Sequence, residues 1–276
     1  MRRRDFLLTG AAGFAGFSAA QLFAQSPRGL PSIGLQLYTV RKLAENNLER
    51  TLAAVARAGY KEVEFAGHYG HPVPHIRKML DDAGLKAPSG HYSSADIQSK
   101  TEIILEDALV LGHKYVTVSW IDAKDRTPDG YRRMASLYNE AGLLARGESL
   151  QLAYHNHSFE FSPLAGGRSG YEILIAECPP ENLALQADVF WMKKAGEDPF
   201  AWFARHPNRY RMIHAKDMGA PPKQEMLDVG SGKIDWPKLI TAAKRAGVKH
   251  FFVEHDEPKD ALASIGRSYR YLRTLK

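Results

Sequence analysis

The sequence predicts an α/β fold of the (β/α)₈ type, a single-domain TIM barrel, and three observations favour it. Eight short apolar or β-branched runs alternate with longer segments of helical periodicity. The pattern extends over residues 33–276, close to the roughly 250 residues that are typical of such barrels. No G-x-G-x-x-G turn follows the first run, which disfavours a doubly wound dinucleotide-binding sheet.

The eight predicted strands each have a polar or aromatic side chain near the carboxyl end. In chain order they are IGLQLY (33–38), EVEFAG (62–67), KAPSGHY (86–92), YVTVSW (115–120), LQLAYHNH (150–157), LALQAD (183–188), YRMIHAKD (210–217) and FFVEHD (251–256). Side chains on a strand alternate between its two faces. His155 and His157, two residues apart on the fifth strand, are therefore expected to point to the same place.

Segments of helical periodicity lie between the strands, and several end at a glycine in the position that commonly closes a helix. They include NNLERTLAAVARAG (46–59), HIRKMLDDAG (75–84), KTEIILEDALVLG (100–112), YRRMASLYNEAGLLARG (131–147) and WPKLITAAKRAG (236–247), with KDALASIGRSYRYLRTL (259–275) after the last strand. The irregular stretch 218–235 follows the seventh strand, and we expect it to overhang the barrel mouth.

Residues 1–24 predict a twin-arginine-type signal peptide, and residues 25–32 a short linker. The segment has a basic start, an apolar run too short to span a bilayer comfortably, and small residues that favour cleavage after Ala20 or Ala24. The run RRDFL (3–7) resembles the twin-arginine motif. This predicts the twin-arginine translocation machinery as a partner, a periplasmic location and no stable membrane span after processing. A Sec signal or an uncleaved amphipathic anchor is the alternative.

Composition excludes several classes of protein. The hydrophobic share of 44% and the charged share of 25% are those of an ordinary soluble globular protein. The formal charge is +6, but basic residues beyond the first few are interspersed with acidic ones, so no nucleic-acid-binding stripe is predicted. Cys178 is the only cysteine, which excludes an internal disulfide and a cysteine-based metal site.

In a (β/α)₈ barrel the chemistry lies where strands end and the following loops begin. The polar and aromatic side chains at those positions are therefore candidates for binding a small carbohydrate. Trp120 and Trp191 have flat apolar faces that match the C–H face of a sugar ring, although ordinary packing explains them nearly as well. The candidate substrate-binding residues are Gln36, Tyr38, Glu64, His91, Trp120 and Trp191.

Strands five to eight end in His155, Asp188, His214 and Glu254, which predicts a metal site. Without a cation, these strand ends would bring two carboxylates close together. Nitrogen and carboxylate ligands without thiolate suit one divalent ion, Mn²⁺ first, with Co²⁺, Zn²⁺ or Fe²⁺ as the other candidates. Lys216 lies two residues beyond His214 on the same face, where its charge could stabilise a developing oxyanion.

The motifs GLQLYTVR, GYKEVEFAGHYG, AYHNHSFEF, HAKDM, VGSGKIDW and FFVEHDE together resemble the xylose-isomerase-like barrel superfamily, usually called sugar phosphate isomerase/epimerase. The resemblance implies one divalent ion at the ends of strands five to eight and enediolate chemistry on a sugar. Asp188, His214 and Glu254 match the family's ligands. Many members have Glu-Asn in strand five where this chain has His155-Asn156, so the resemblance does not extend to two-base epimerisation.

A metal that chelates a carbonyl and a neighbouring hydroxyl acidifies the C–H between them, and a side chain then moves the proton. We expect Glu254 to act on one face of the substrate, with the imidazole of His157, or failing that His91, as its partner. The predicted activity is a metal-dependent sugar isomerase. The alternative is a keto-sugar or 3-keto-glycoside lyase or hydratase that works by β-elimination.

Two further hypotheses lie outside sugar catalysis. A non-catalytic periplasmic sugar-binding barrel predicts a pocket without bound metal or proton exchange. A DNA-repair endonuclease on the same fold is disfavoured, because it requires a three-metal cluster with more ligands than this sequence supplies.

Overall fold

A computed structural model describes residues 30 and 32–275. The predicted signal peptide, and most of the predicted linker, lie outside the described residues. The eight barrel strands are Gly34–Gln36 (β1), Glu62–Phe65 (β2), Lys86–Ser93 (β3), Tyr115–Trp120 (β4), Gln151–His155 (β5), Ala184–Asp188 (β6), Tyr210–Ala215 (β7) and His250–Val253 (β10). They pair in parallel and close in the order β1-β10-β7-β6-β5-β4-β3-β2, which confirms the predicted single TIM barrel.

A short antiparallel hairpin lies between β7 and β10. Its strands are Asp217–Met218 (β8) and Met226–Leu227 (β9). All of this hairpin except Asp217 falls in the stretch 218–235 that the sequence predicts to be irregular. The helices are Arg41–Asn46 (α1), Leu48–Ala58 (α2), Val73–Ala83 (α3), Ser94–Leu111 (α4), Pro128–Gly147 (α5), Gly170–Glu177 (α6), Val189–Lys194 (α7), Pro199–Arg205 (α8), Trp236–Arg245 (α9) and Ala261–Leu272 (α10). None of the described helices is long and apolar enough to cross a membrane.

Helix α2 shows why these segments fold where they do. Asn47 caps its amino terminus by accepting a hydrogen bond from the Arg50 N–H, and Gly59 closes it in the left-handed region at φ 112°. Leu52 and Val55 lie on the buried face, one turn apart. The helix therefore begins and ends at residues that satisfy its free backbone groups, and it packs through a single apolar stripe.

The barrel interior changes from apolar to polar along the strand direction. The apolar layer consists of Tyr115, Ala153, Ala184, Met212 and Phe252. Two residues further along the same strands, on the same face, come Thr117, His155, Gln186, His214 and Glu254. All five of these polar residues are buried. Burying polar groups is costly unless they are paired, so this second layer points to a built site at the carboxyl ends of the strands.

The loop over residues 228–235 is fastened by one buried carboxylate. Asp217 Oδ2 accepts hydrogen bonds from the N–H groups of Gly230 (2.8 Å) and Gly232 (3.1 Å) and from Trp236 Nε1 (2.9 Å). Its Oδ1 accepts from the Ile234 N–H at 3.2 Å. The glycine-rich loop is thus folded back onto Asp217.

Candidate active site

A cavity of about 580 Å³ opens at the carboxyl ends of the barrel strands. This volume is in the range of small-molecule sites, which typically measure about 300–1,000 Å³. Of the residues that the sequence singles out, eight line it: Tyr38, His91, Trp120, His155, His157, Trp191, Lys216 and Glu254. His155 and His157 therefore do face the same place, with ring centroids 4.9 Å apart.

Three of the four predicted metal ligands converge on one point. The ligand atoms of Asp188, His214 and Glu254 all lie within 4.8 Å of one another. His155 is close by, with Nε2 3.8 Å from Asp188 Oδ2, and it also groups with His91 and His214. The geometry thus brings the predicted ligands together, but only His155 and Glu254 line the cavity, whereas Asp188 and His214 are fully buried behind its lining.

His214 lies between two carboxylates. Its Nδ1 is 2.5 Å from Glu254 Oε2, and its Nε2 hydrogen-bonds to Glu64 Oε2. Burial opposes the charged imidazole, yet Glu254 and Glu64 outweigh it and raise the pKa of His214 to about 10. Both ring nitrogens of His214 therefore face a carboxylate in the described structure. A cation bound beside Glu254 would displace the proton from Nδ1, and His214 would ligate as a neutral imidazole.

Gln36 and Glu64, predicted to bind substrate, do not line the cavity. Both are fully buried beneath it, and Gln36 Nε2 donates to Glu64 Oε2 at 2.8 Å. Glu64 Oε1 accepts from Gln186 Nε2 at 2.7 Å. Since a carboxylate on the far nitrogen of a ligating histidine fixes the orientation of its ring, we assign Glu64 a supporting role beneath His214 in place of substrate contact.

Lys216 supplies a cation among the carboxylates. Its Nζ lies 3.0 Å from Asp188 Oδ2, 2.8 Å from Glu254 Oε2 and 2.6 Å from Asp256 Oδ1. Burial alone would lower the pKa of Lys216, but Asp188 and Glu254 reverse this and raise it. In return, Lys216 and His214 hold the pKa of Glu254 well below its usual range, against the effect of burial. The ammonium therefore offsets part of the repulsion between the two strand-end carboxylates.

The donor set fits a divalent ion. Asp188 Oδ2 is buried and accepts no hydrogen bond, even though the Lys216 ammonium is nearby. Burial raises the pKa of Asp188 to about 6 despite that cation. Carboxylates and imidazoles are the ligands that Mn²⁺, Zn²⁺ or Fe²⁺ take in proteins. The cluster supplies two carboxylates and one imidazole, and one carboxylate oxygen, Asp188 Oδ2, accepts no hydrogen bond.

The imidazole of His155, at the end of β5, and that of His157, in the loop that follows, are neutral. Burial, with His214 nearby, lowers the pKa of His155 well below its ordinary value. The Nδ1 of His155 lies 3.0 Å from Gln186 Oε1, so the proton is on Nδ1 and the lone pair of Nε2 faces the ligand cluster. Burial and Lys216 lower the pKa of His157 to about 3, and its buried Nδ1 has no partner. His155 is thus prepared to ligate a metal, and His157 to bind a group that enters the cavity.

Aromatic rings form the upper walls of the cavity. Trp120 is 43% exposed and packs edge-on against His157, with ring centroids 5.3 Å apart. The ring centroid of Trp191 lies 5.9 Å from that of His157, and its buried Nε1 has no partner. Tyr38 is 40% exposed and stacks on the Arg41 guanidinium. Such surfaces suit the C–H faces of a sugar.

Sequence reasoning missed three residues of the site. Gln186 connects His91, His155 and Glu64 through its amide, and it lies two residues before Asp188 on the same strand face. Asp256, two residues beyond Glu254, lines the cavity and binds Lys216. Glu160 is fully buried and accepts the His157 N–H at 2.9 Å. The spacing of two residues could have identified the first two, whereas Glu160 gives no such signal.

We expect Lys216→Met to raise the affinity for Mn²⁺ about tenfold, because a competing positive charge leaves the ligand cluster. Without the ammonium, Asp188 and Glu254 repel each other, so the melting temperature of the metal-free protein should fall. Calorimetric titration of Mn²⁺ into EDTA-stripped protein measures the first effect. Lys194→Met is the matched control, since Lys194 is exposed and binds only backbone carbonyls. Weaker Mn²⁺ binding by Lys216→Met would contradict the expectation.

Comparison with known proteins identifies a family and several relatives. A sequence model described as xylose isomerase-like TIM barrel matches residues 52–275. The chain is 25% identical over 260 residues to an inosose dehydratase of Lacticaseibacillus casei, with 80% of this chain and 85% of the relative covered. An inosose dehydratase of Bacillus cereus (strain AH820) is 23% identical over 264 residues, with 80% and 86% covered.

Two solved structures share the fold. A sugar phosphate isomerase/epimerase from Parabacteroides distasonis superposes with a TM-score of 0.76 at 23% identity, covering 92% of this chain and 97% of the other. The IolI protein with a zinc atom superposes with a TM-score of 0.66 at 16% identity, covering 88% and 96%. Since the sequence model matches most of the chain, the protein belongs to the xylose isomerase-like TIM barrel family.

Proposed function

We propose that the protein is a divalent-metal-dependent enzyme that removes the proton next to the carbonyl of a keto-sugar, and that it completes the reaction by β-elimination. The observation that carries the proposal is the convergence of the buried Asp188 and His214 on Glu254, which lines a sugar-sized cavity. His155, Asp188, His214 and Glu254 would hold the ion, Mn²⁺ being our first choice. When bound there, it supplies Lewis-acid polarisation of the carbonyl and the neighbouring hydroxyl.

Glu254 is the group best suited to take the proton. It is ionised, it lines the cavity, and both of its described contacts, to His214 and Lys216, are made by Oε2. Oε1 is therefore available to a C–H bond of the substrate. As the pair of electrons from that bond delocalises onto the carbonyl oxygen, the nearby Lys216 ammonium stabilises the negative charge.

β-Elimination follows when the electron pair on the former carbonyl oxygen moves back toward the α carbon. A C=C bond forms between the α and β carbons, and the C–O bond at the β carbon breaks. The oxygen leaves as water or an alcohol by taking the proton that Glu254 removed from the α carbon, which returns Glu254 to its ionised form. His157 and Trp191 line the cavity, each with a ring nitrogen that has no partner, and we propose that His157 hydrogen-bonds to the leaving oxygen. Because His157 is neutral, we assign it this binding role in preference to that of the leaving-group acid.

Two observations support elimination over epimerisation. The relatives described above are named inosose dehydratases, and dehydration of a ketone is a β-elimination. In addition, strand five presents the imidazole of His155 where epimerisation needs a second carboxylate on the opposite substrate face. Isomerisation is our second candidate, because the same first proton transfer leads to it if the proton returns to the neighbouring carbon.

The experiment that tests the proposal is a product screen. Metal-stripped protein is reloaded with Mn²⁺ and incubated with ketoses and 3-keto-glycosides, and products are identified by NMR and by the ultraviolet absorbance of an unsaturated ketone. We expect metal-dependent loss of water or alcohol from a keto-sugar. A mixture of aldose and ketose with no unsaturated product would favour the isomerase, and binding without any conversion would favour the non-catalytic barrel.

We also propose that the protein is exported to the periplasm by the twin-arginine route, on the strength of its first residues. That route carries folded proteins, so the ion could be loaded in the cytoplasm before export. Replacing Arg3 and Arg4 with lysine should leave the precursor in the cytoplasm, as followed by cell fractionation. Undiminished periplasmic delivery of the double variant would rule the route out.

A further inference from the structure

Basic side chains gather at the end of the barrel opposite the cavity. Each lies within one residue of the start of a strand, and the fold brings them from distant parts of the sequence onto one rim. We name this set the basic crescent: Arg211 (β7), Lys249 (β10), Lys61 (β2), Lys86 (β3) and Lys114 (β4). Together with β1, these strands are six consecutive neighbours in the closed sheet, so the crescent extends around most of that rim.

Backbone hydrogen bonds between neighbouring strands hold the crescent residues at the same level. The Lys86 N–H donates to the Lys61 carbonyl at 3.1 Å, and the Lys249 N–H donates to the Arg211 carbonyl at 2.9 Å. The four lysines are exposed, and Arg211 is half-buried. Because neighbouring strands lie only about 4.8 Å apart, the five cations together raise the positive potential of this end of the barrel.

The crescent has no acidic partners in the described part of the chain, where none of its five residues makes an ion pair. Glu62, next to it in β2, hydrogen-bonds to His250 Nδ1 at 2.8 Å. That bond, with Lys114 as a weaker contributor, lowers the pKa of Glu62 against the effect of burial. Asp81 and Asp82, near the end of α3, each pair with a basic residue one turn earlier on the same helix. The charge of the crescent therefore remains available to a partner.

The opposite end of the barrel shows a different distribution of charge. There the basic residues alternate with acids, as in the loop after β4, where Lys124 lies between Asp122 and Asp125. At the end that carries the crescent, Glu148 and Glu181 precede β5 and β6, the two barrel strands outside the crescent. A sequence in which charges look evenly mixed thus folds into a barrel with one basic rim.

Large apolar side chains are exposed at the same end. Barrel helices run back along the strands, so their carboxyl ends lie beside the amino ends of the strands. Leu109 and Val110, in the last turn of α4, are each 47% exposed, and Leu143 and Leu144, near the end of α5, are 53% and 51% exposed. We name these four residues the apolar patch. Helices α4 and α5 pack against each other, and Lys114 follows α4 by three residues, so the patch borders the crescent.

The chain also enters the barrel from this end. Strand β1 begins at Gly34 and runs toward the cavity, so the residues that precede it arrive at the opposite end. They arrive beside the crescent, because the Lys61 N–H donates to the Ile33 carbonyl at 3.3 Å. The predicted signal peptide, which would meet a membrane during export, is therefore joined to the end that carries the crescent.

From this arrangement we propose that the amino-terminal end of the barrel docks on the surface of an anionic phospholipid bilayer. The crescent cations bind the headgroup phosphates, and the apolar patch enters the boundary between headgroups and acyl chains. Basic charge beside exposed apolar side chains is the combination on which interfacial binding depends, whereas a nucleic acid would engage the crescent and leave the patch exposed. The cavity opens at the other end and stays accessible to solutes. The inference does not depend on the reaction.

The test measures vesicle binding by the processed protein, residues 25–276, which contain the whole described barrel. Protein loaded with Mn²⁺ and freed of unbound ion is sedimented with vesicles of phosphatidylcholine, with or without phosphatidylglycerol. We expect a partition coefficient at least about 100-fold higher on the anionic vesicles, since each basic residue near such a surface contributes about fivefold. Raising the salt from about 0.1 M to 1 M, which shortens the Debye length from about 10 Å to 3 Å, should remove most of this difference.

Variants assign the binding to the crescent. Replacing its four lysines with glutamine should lower the partition coefficient on anionic vesicles at least about 100-fold. The matched control removes the same charge from exposed lysines in loops at the cavity end and should bind as the wild type does; its positions are Lys42, Lys124, Lys223 and Lys259. Melting temperatures check that both variants fold. The double variants Lys61→Gln/Lys86→Gln and Lys114→Gln/Lys249→Gln, each expected to lose about 20-fold, replace the fourfold variant if it does not.

A second pair of variants tests the apolar patch. Leu143→Gln/Leu144→Gln should lower the partition coefficient about tenfold, because less apolar surface leaves water on docking. The control is Leu43→Gln/Leu262→Gln, at two exposed leucines near the cavity end, on α1 and α10. That control should bind as the wild type does.

Four results would overturn the proposal. They are equal binding to the two kinds of vesicle, binding that survives loss of the crescent lysines, and duplex DNA or polyglutamate bound as tightly as anionic vesicles at the same salt. The fourth is self-association of the wild type that Leu143→Gln/Leu144→Gln abolishes in analytical ultracentrifugation, which would make the patch an interface between copies of the chain. Salt-sensitive binding to anionic vesicles that is lost in the crescent variant and kept in both controls supports the proposal.

Discussion

Alanine in place of His214 is expected to abolish stoichiometric metal binding and to lower kcat/KM on the order of 1000-fold. The imidazole is the one ligand that belongs to both ligand groups, and it separates Glu64 from Glu254. Its removal leaves two buried carboxylates without the cation between them, which costs about 3–5 kcal/mol of stability in the metal-free protein. Metal content by mass spectrometry, turnover and thermal unfolding measure the three effects.

His75→Ala is the matched control for this variant. His75 is an exposed residue on α3, outside the cavity, so metal content and turnover should match those of the wild type. The fold itself should survive in His214→Ala, because the apolar layer of Tyr115, Met212 and Phe252 beneath the site is unchanged. A folded His214→Ala protein with full metal occupancy would remove His214 from the ligand set.

The sequence predicts the barrel well because its signal is local. Each strand appears in the sequence as a short apolar run between helices. Because the chemistry of a barrel lies at the carboxyl ends of its strands, the polar side chains there can be selected as site candidates. Strand ends are less well predicted: the fifth strand ends at His155 and the seventh at Ala215, two residues short of the predicted bounds. The hydrogen bonds that end a strand depend on its neighbours, which composition does not reveal.

The sequence predicts which residues form the candidate site, but it does not predict which of these residues contact one another. Alternation along each strand identifies Asp188, His214 and Glu254, since each strand carries its own signal. The position of Lys216 between Asp188 and Glu254 depends on how β6, β7 and β10 lie side by side, and so do the contacts of Gln186. The sequence predicts a metal ion between these carboxylates, and the structure places the ammonium of Lys216 there.

Glutamine in place of Glu254 is expected to lower kcat/KM between about 100- and 10,000-fold, the usual contribution of a general base. The amide keeps the size of the side chain and can still ligate through its carbonyl oxygen, but it cannot accept the proton. It also loses the negative charge that faces Lys216 and His214. Steady-state turnover of the keto-sugar identified in the product screen measures the loss.

Glu257→Gln is the control, three residues further along. Glu257 has a 76% exposed side chain, binds Arg41 at the surface and does not line the cavity, so turnover should remain near that of the wild type. A comparable loss in this variant would assign the effect to the loop after β10 and not to the base.

The most direct test of the account is deuterium exchange at the carbon next to the substrate carbonyl, followed by NMR in D₂O. Mn²⁺-loaded wild-type protein should incorporate deuterium, whereas metal-stripped protein and Mn²⁺-loaded Glu254→Gln should show exchange reduced at least about 100-fold. His157→Ala should slow overall turnover more than exchange, because we propose that His157 hydrogen-bonds to the leaving oxygen, which departs only after the first proton transfer. Undiminished exchange in Glu254→Gln would contradict the central claim and assign the proton transfer to another residue.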